Sequence, residues 1–252
     1  MSSPGAGPST ASGAAGSPRL WTAAGRLAVL AAALAVLLSA ASLLVAQDYL
    51  AAEGARVVIV SFALGAIPFS NLLAQSVAAT DLRTVGSGTV SGTALYRVAG
   101  FAPLAVGGIM DVAKAAPGVF AAGSAPVVSA VAAGAAVAGH NWSPFLRGAG
   151  GRGVSPAMGA LAVVHWPGAV LLLAGLAVGR AVRQTALVSF GAMAALPFLA
   201  LWWGGRDAAL AGAAVTAAML LKRLTANNTV PPAGRRARVT LRRLLCDNDG
   251  AP

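Results

Sequence analysis

Three groups of residues in this chain have the types and spacing needed to handle phosphate-bearing molecules. The first is Val85-Gly86-Ser87-Gly88-Thr89-Val90-Ser91-Gly92-Thr93. Small residues let a backbone approach a ligand closely, and consecutive amides ahead of a helix cradle an anion. Arg97 follows about one turn inside the next helix and adds a fixed positive charge. A flexible Gly/Ser turn has the same composition, so the loop alone leaves both readings open. The second group is Gly139-His140-Asn141-Trp142-Ser143-Pro144-Phe145-Leu146-Arg147, continued by Gly150-Gly151-Arg152-Gly153. Arg grips phosphate through two parallel hydrogen bonds, and glycines clear the approach. His140 is either an interfacial residue or a group that orients this loop or moves a proton. Trp142 and Phe145 read as interface anchors. The third group is Asp111 and Lys114, three apart and therefore on one helix face. They are either a functional charge pair within the membrane or an ion pair that fixes helix ends. His165 receives no role. No paired carboxylates, metal-ligand spacing or nucleophile–His–Asp arrangement is present, and no acid follows His140 four residues on.

The elements that must position these groups are set by composition. Of 252 residues, 57% are hydrophobic and 10% charged, where a soluble domain carries roughly 25% charged residues. The apolar residues sit in runs of about twenty, the length that crosses a ~30 Å hydrocarbon core. The chain reads as an all-α polytopic membrane protein of about seven to eight hydrophobic helices. Its net charge of +11 does not point to nucleic acid. In a membrane protein, excess Arg marks cytoplasmic loops and contacts to anionic lipid headgroups. The single cysteine, Cys246, excludes an internal disulfide and a Cys-rich metal site.

Residues 1–26 read as a disordered tail. Residues 27–46 form an extra N-terminal transmembrane helix, longer than the ~7–15 apolar residues of a signal core and so read as retained. Residues 47–225 are the main membrane domain, and 226–252 a basic cytoplasmic tail. Within the domain, residues 57–79 form a helix kinked at Pro68, and residues 95–120 form the next. The stretch 154–179 poses a parity problem. A single crossing would put the loop at 140–153 and the basic tail on opposite sides, although both are Arg-rich. A short broken pair around Pro167-Gly168, about 154–165 and 168–180, resolves it by entering and returning. Crossings over about 184–203 and 207–222 then bring both Arg-rich loops and the tail to one face.

These motifs, in this order, resemble the bacterial membrane acyl-phosphate:glycerol-3-phosphate acyltransferase family. The likeness covers about residues 57–225. It rests on Gly65-Ala66-Ile67-Pro68-Phe69-Ser70, on Asp81-Leu82-Arg83 through Arg97, on Asp111 with Lys114, and on the block from Gly139 to Val154. The chain departs from the family pattern at Thr89, Val90, Ala94 and Ala149. Ala217 and Leu220 also stand where His and Asn are usual. The resemblance implies acyl transfer from acyl-phosphate to the 1-hydroxyl of glycerol-3-phosphate, giving lysophosphatidic acid in phospholipid biosynthesis, with no cofactor and no metal. It implies Ser87 and His140 as catalytic residues, and Gly86, Gly88, Thr93, Arg97, Lys114, Gly151 and Arg152 as substrate-binding residues. The partners are the two substrates and membrane lipids, with no nucleic acid. The location is the bacterial cell membrane, multi-pass, with the active site facing the cytoplasm. A diverged, catalytically weak paralogue that binds lipid phosphates or a partner protein is the alternative. A small transporter is the third reading, against which stands the lack of an internal repeat.

Overall fold

The computed structural model describes residues 50–227 and 236–246. The expected N-terminal tail and the helix at 27–46 lie outside the described residues, as do 228–235 and 247–252 of the basic tail. The described residues form ten α-helices and two short 3-10 turns, with no strand among them.

Helices α1 (Leu50–Ala66) and α2 (Phe69–Ala78) belong to one apolar stretch, Glu53–Ala78, long enough to cross a bilayer. Pro68 lacks the N–H that would continue α1, so the ladder stops there. The carbonyls of Ala66 and Ile67 fall between the two helical ladders, where they accept from side chains; that of Ile67 also accepts from Phe69 N–H at 3.1 Å.

The single helix expected over residues 95–120 is instead three. Gly100, at φ 82, turns the chain sharply between α3 (Gly92–Ala99) and α4 (Phe101–Ala113), a conformation that glycine adopts without strain. Helix α3 buries Leu95 and leaves Tyr96 and Arg97 exposed, while α4 and α5 (Ala116–Ala121) make up the crossing. Arg97 consequently lies in the last turn of an eight-residue helix, further in than its sequence position suggested.

Helix α6 (Pro126–Asn141) is the central packing element. A side chain at Gly65 would overlap the Ala136 carbonyl, and one at Gly139 would overlap the Phe62 carbonyl. Backbones approach so closely only where side chains are absent. In lipid such contact replaces the hydrophobic effect as the force that joins helices.

The broken pair is present as α7 (Val154–Val164) and α8 (Trp166–Ala181). Its break falls at His165, ahead of the expected Pro167-Gly168, because Pro167 begins a helix well. As the second residue of α8 it forfeits no intrahelical bond. The base of α7 lies beside Asn141, whose Oδ1 would be 2.8 Å from a side chain at Gly153. His165 sits against Gly204, and α8 then runs back until Gly179 meets Thr185. The pair enters and returns.

Helix α9 (Thr185–Thr225) folds back on itself at Gly205, φ 73. Thr216 Oγ1 donates to the Met193 carbonyl at 3.1 Å, and Gly212 packs on Pro197, so its two arms are the two crossings expected. Helix α10 (Arg236–Cys246) docks at its end through a reciprocal exchange. Arg223 donates to the Leu244 carbonyl at 2.6 Å and Arg243 to the Leu224 carbonyl at 3.1 Å. Each guanidinium satisfies carbonyls that the other helix leaves unpaired at its C-terminus.

Three contacts gather the loops at one end of the bundle. Val90 N–H donates to the Gly150 carbonyl at 3.1 Å, Asn227 Nδ2 to the Gly88 carbonyl at 2.9 Å, and Arg223 to the Ala186 carbonyl at 3.2 Å.

Candidate active site

The break at Pro68 supplies the floor of the site. Lys114 Nζ donates to the Ile67 carbonyl at 2.6 Å, and Ser143 Oγ to that of Ala66 at 2.5 Å. Lys114 also pairs with Asp111 Oδ1 at 2.7 Å and approaches His140 Nδ1 at 3.0 Å. Ser70 donates to the other Asp111 oxygen at 2.7 Å. Both charges are almost fully buried, which a membrane interior tolerates when they are paired and hydrogen-bonded.

The two glycine loops close over this floor. Gly151 N–H donates to the His140 carbonyl at 3.2 Å, and the Val90–Gly150 bond joins one loop to the other. A side chain at Gly151 would overlap His140 Nε2 and lie 2.8 Å from the Val90 carbonyl. A small pocket results, lined by Ser70, Val90, Asp111, Lys114, His140 and Gly151 among others. Lys114, His140 and Gly151 of the expected set are therefore brought together.

The remaining expected residues stand outside that pocket. Ser87 is exposed, with its hydroxyl 3.0 Å from that of Thr89. Gly86 and Gly88 adopt positive φ of 59 and 72. Thr93 is exposed on the first turn of α3, and Arg152 is half-buried. The Arg97 guanidinium comes within 3.9 Å of the space a side chain at Gly86 would fill. Asp81 and Arg83 brace the loop, 2.6 Å apart. The hydrogen bond from Arg83 holds the Asp81 carboxyl below its ordinary value.

Lys114, expected as a substrate-binding group, is surrounded by protein groups: Asp111 Oδ1, the Ile67 carbonyl and His140 Nδ1. Sequence reasoning also missed residues on the neighbouring wall. Lys222, near the end of α9, is fully buried with its Nζ 5.3 Å from the Trp142 ring. Trp142, taken for a membrane anchor, thus faces a cation inside the protein, a favourable contact for an indole face. Phe145 is exposed, as an anchor should be. Asn141 donates to the Ala218 carbonyl at 3.0 Å, reaching the stretch of α9 where Ala217 and Leu220 carry no polar group. Its position beside His140 in the loop motif was the available signal.

A helical membrane bundle with a small recessed pocket lined by Asp111, Lys114 and His140 defines the class, and comparisons define the family. A family model described as glycerol-3-phosphate acyltransferase matches residues 55–229. The chain is 33% identical over 158 residues to a glycerol-3-phosphate acyltransferase of Maricaulis maris, covering 62% of this chain and 73% of the relative. It is 34% identical over 170 residues to one of a Synechococcus species, covering 66% and 85%. Its fold is similar to the crystal structure of PlsY (YgiH), an integral membrane glycerol 3-phosphate acyltransferase, in the glycerol 3-phosphate form. That likeness has a TM-score of 0.61 at 26% identity, over 77% of this chain and 92% of the other. The lysophosphatidic acid form shares the fold at TM-score 0.59 and 23% identity, over 74% and 93%. The chain belongs to the glycerol-3-phosphate acyltransferase family.

Proposed function

We propose that this protein transfers a fatty acyl group from acyl-phosphate to the 1-hydroxyl of glycerol-3-phosphate, giving lysophosphatidic acid, where the two glycine loops meet. The supporting observation is the bond from Val90 N–H to the Gly150 carbonyl, 3.1 Å, which joins two anion-binding loops over His140 in a chain of this family. Acyl-phosphate is an activated mixed anhydride, so the chemistry asks chiefly for charge neutralisation and alignment. The hydroxyl oxygen bonds to the acyl carbon, the bond from that carbon to the phosphate oxygen breaks, and the hydroxyl proton passes to a phosphate oxygen. The amides of Gly86 and Thr93 with the Ser87 hydroxyl hold one phosphate, while the Gly88 N–H donates to the Val85 carbonyl at 3.1 Å and fixes the turn. Arg97 and Arg152 hold the charge of the other, and Gly151 leaves the space that His140 needs. The Arg-rich end faces the cytoplasm, in keeping with the bias of Lys and Arg to that side.

Purified protein in lipid nanodiscs, supplied with glycerol-3-phosphate and either acyl-phosphate or acyl-CoA, tests this reading. Lysophosphatidic acid is expected with acyl-phosphate. Product from acyl-CoA alone would overturn the donor, and no product from either would overturn the reaction. Arg97→Ala and Arg152→Ala should each lower kcat/KM about ten- to a hundredfold, the roughly 1.5–3 kcal/mol of a charged hydrogen bond.

A further inference from the structure

We propose that Lys114 and Asp111 are positioning residues that hold His140 as the neutral imidazole protonated on Nε2, so that it serves the reaction as a hydrogen-bond donor and not as its base. The proposal rests on the acyl-transfer reading above.

An ammonium carries three N–H donors and no lone pair. Lys114 Nζ has three neighbours to receive them: Asp111 Oδ1 at 2.7 Å, the Ile67 carbonyl at 2.6 Å and His140 Nδ1 at 3.0 Å. The first two can only accept, so the third proton is directed at the Nδ1 lone pair, and that nitrogen cannot carry a proton of its own. The competing arrangement is an Nδ1–H donated to the carboxylate. It fails on distance, since Asp111 Oδ1 is 3.8 Å from Nδ1, beyond hydrogen-bond reach. The other carboxylate oxygen accepts from Ser70 Oγ at 2.7 Å. With Nδ1 filled, the ring proton sits on Nε2. That nitrogen faces the gap between Gly151 and the Val90 carbonyl, where any side chain on Gly151 would overlap it.

A neutral Nε2–H aimed at the seam of the two loops is suited to an oxygen on which negative charge accumulates as the acyl group moves. It cannot accept the proton of the attacking hydroxyl through Nδ1, which is occupied, nor through Nε2, which is already protonated. That proton goes to a phosphate oxygen of the substrates, which balances the step without a protein base.

The chain has two histidines, so a His165→Asn background leaves His140 as the sole reporter. In 15N-histidine-labelled protein of that background in nanodiscs, the ring shifts should show a protonated Nε2 and a hydrogen-bonded, unprotonated Nδ1. A proton on Nδ1 overturns the proposal, and this reading needs no active enzyme. In the assay, His140→Gln places an amide N–H near the position of Nε2 and should keep kcat within about tenfold of the parent. His140→Ala should lose on the order of a hundredfold or more, as when an oxyanion donor is removed. Equal loss in both overturns the donor role. Lys114→Gln, which still donates to Nδ1, should retain more kcat than Lys114→Met with KM alike in the two, and the reverse order overturns the positioning role. An inactive parent would defeat the acyl-transfer reading alone, since the ring shifts still decide the tautomer.

Discussion

Gly151 is confined to glycine by two neighbours that lie far from it in sequence, the His140 ring and the Val90 carbonyl. Gly151→Ala must push the imidazole or the loop aside. A misplacement of about 1 Å at a reacting centre costs on the order of a hundredfold, and kcat/KM for glycerol-3-phosphate should fall by about that much. Gly108→Ala, where a side chain meets nothing within 4 Å, should leave it unchanged. The Asp81–Arg83 pair predicts an acid sensitivity. Because Arg83 lowers the Asp81 carboxyl in the folded protein, the brace is intact above the ordinary carboxylate range and is lost as pH falls through the lowered value. Asp81→Asn should remove that acid limb from a proteolysis profile of the loop. At this scale the sequence made the Asp111–Lys114 pairing readable, since spacing puts both on one helix face. It concealed what the lysine does, because Ile67 and His140 meet it only through the fold. The burial of Lys222 was illegible for a related reason: a helix-end cation looks the same in sequence whether it faces solvent or a Trp ring.

Elements were legible where proline or glycine interrupts a long apolar run. The breaks at Pro68 and Gly205 fell where expected, and the pair at 154–181 was required by charge parity before any helix ended there. The split at Gly100 was not legible, because a lone glycine in an apolar segment is tolerated unless its φ is positive. The His165 break shifted for a similar reason, since proline marks the start of α8 more readily than the end of α7. The closeness of α1 and α6 is this scale's main dependency. Gly139→Val would drive a branched side chain into the Phe62 carbonyl and should destabilise the bundle by about 1–3 kcal/mol or more, read as a lowered Tm in detergent. Gly191→Ala, in open space on α9, should leave Tm unchanged or slightly raised.

For the whole molecule, the arrangement is a statement about sidedness. The loop at 79–91 and the turn at 182–184 share one end, and Gly204 with Trp202 marks the other. In a Cys246→Ser background, Thr84→Cys and Gln184→Cys should react with a membrane-impermeant thiol reagent from the same side. Trp202→Cys, highly exposed in the parent, should react only from the opposite side. Labelling of Thr84→Cys and Gln184→Cys from different sides would break the re-entrant pair and the shared pocket with it.

Helix α7 has only 11 residues, about 16 Å at 1.5 Å per residue, yet its tip reaches the level of Gly204. The first arm of α9, from Thr185 to that same level, spans roughly 30 Å. The base of α7, beside the two loops, therefore starts about 14 Å along the bundle from the plane where α9 begins. In the reaction proposed, a hydrophilic acceptor has to descend to that level, whereas a fatty donor need not be lifted out of the oil. A one-chained product formed there would have its tail already immersed, and sideways drift into the lipid would replace any climb to the surface.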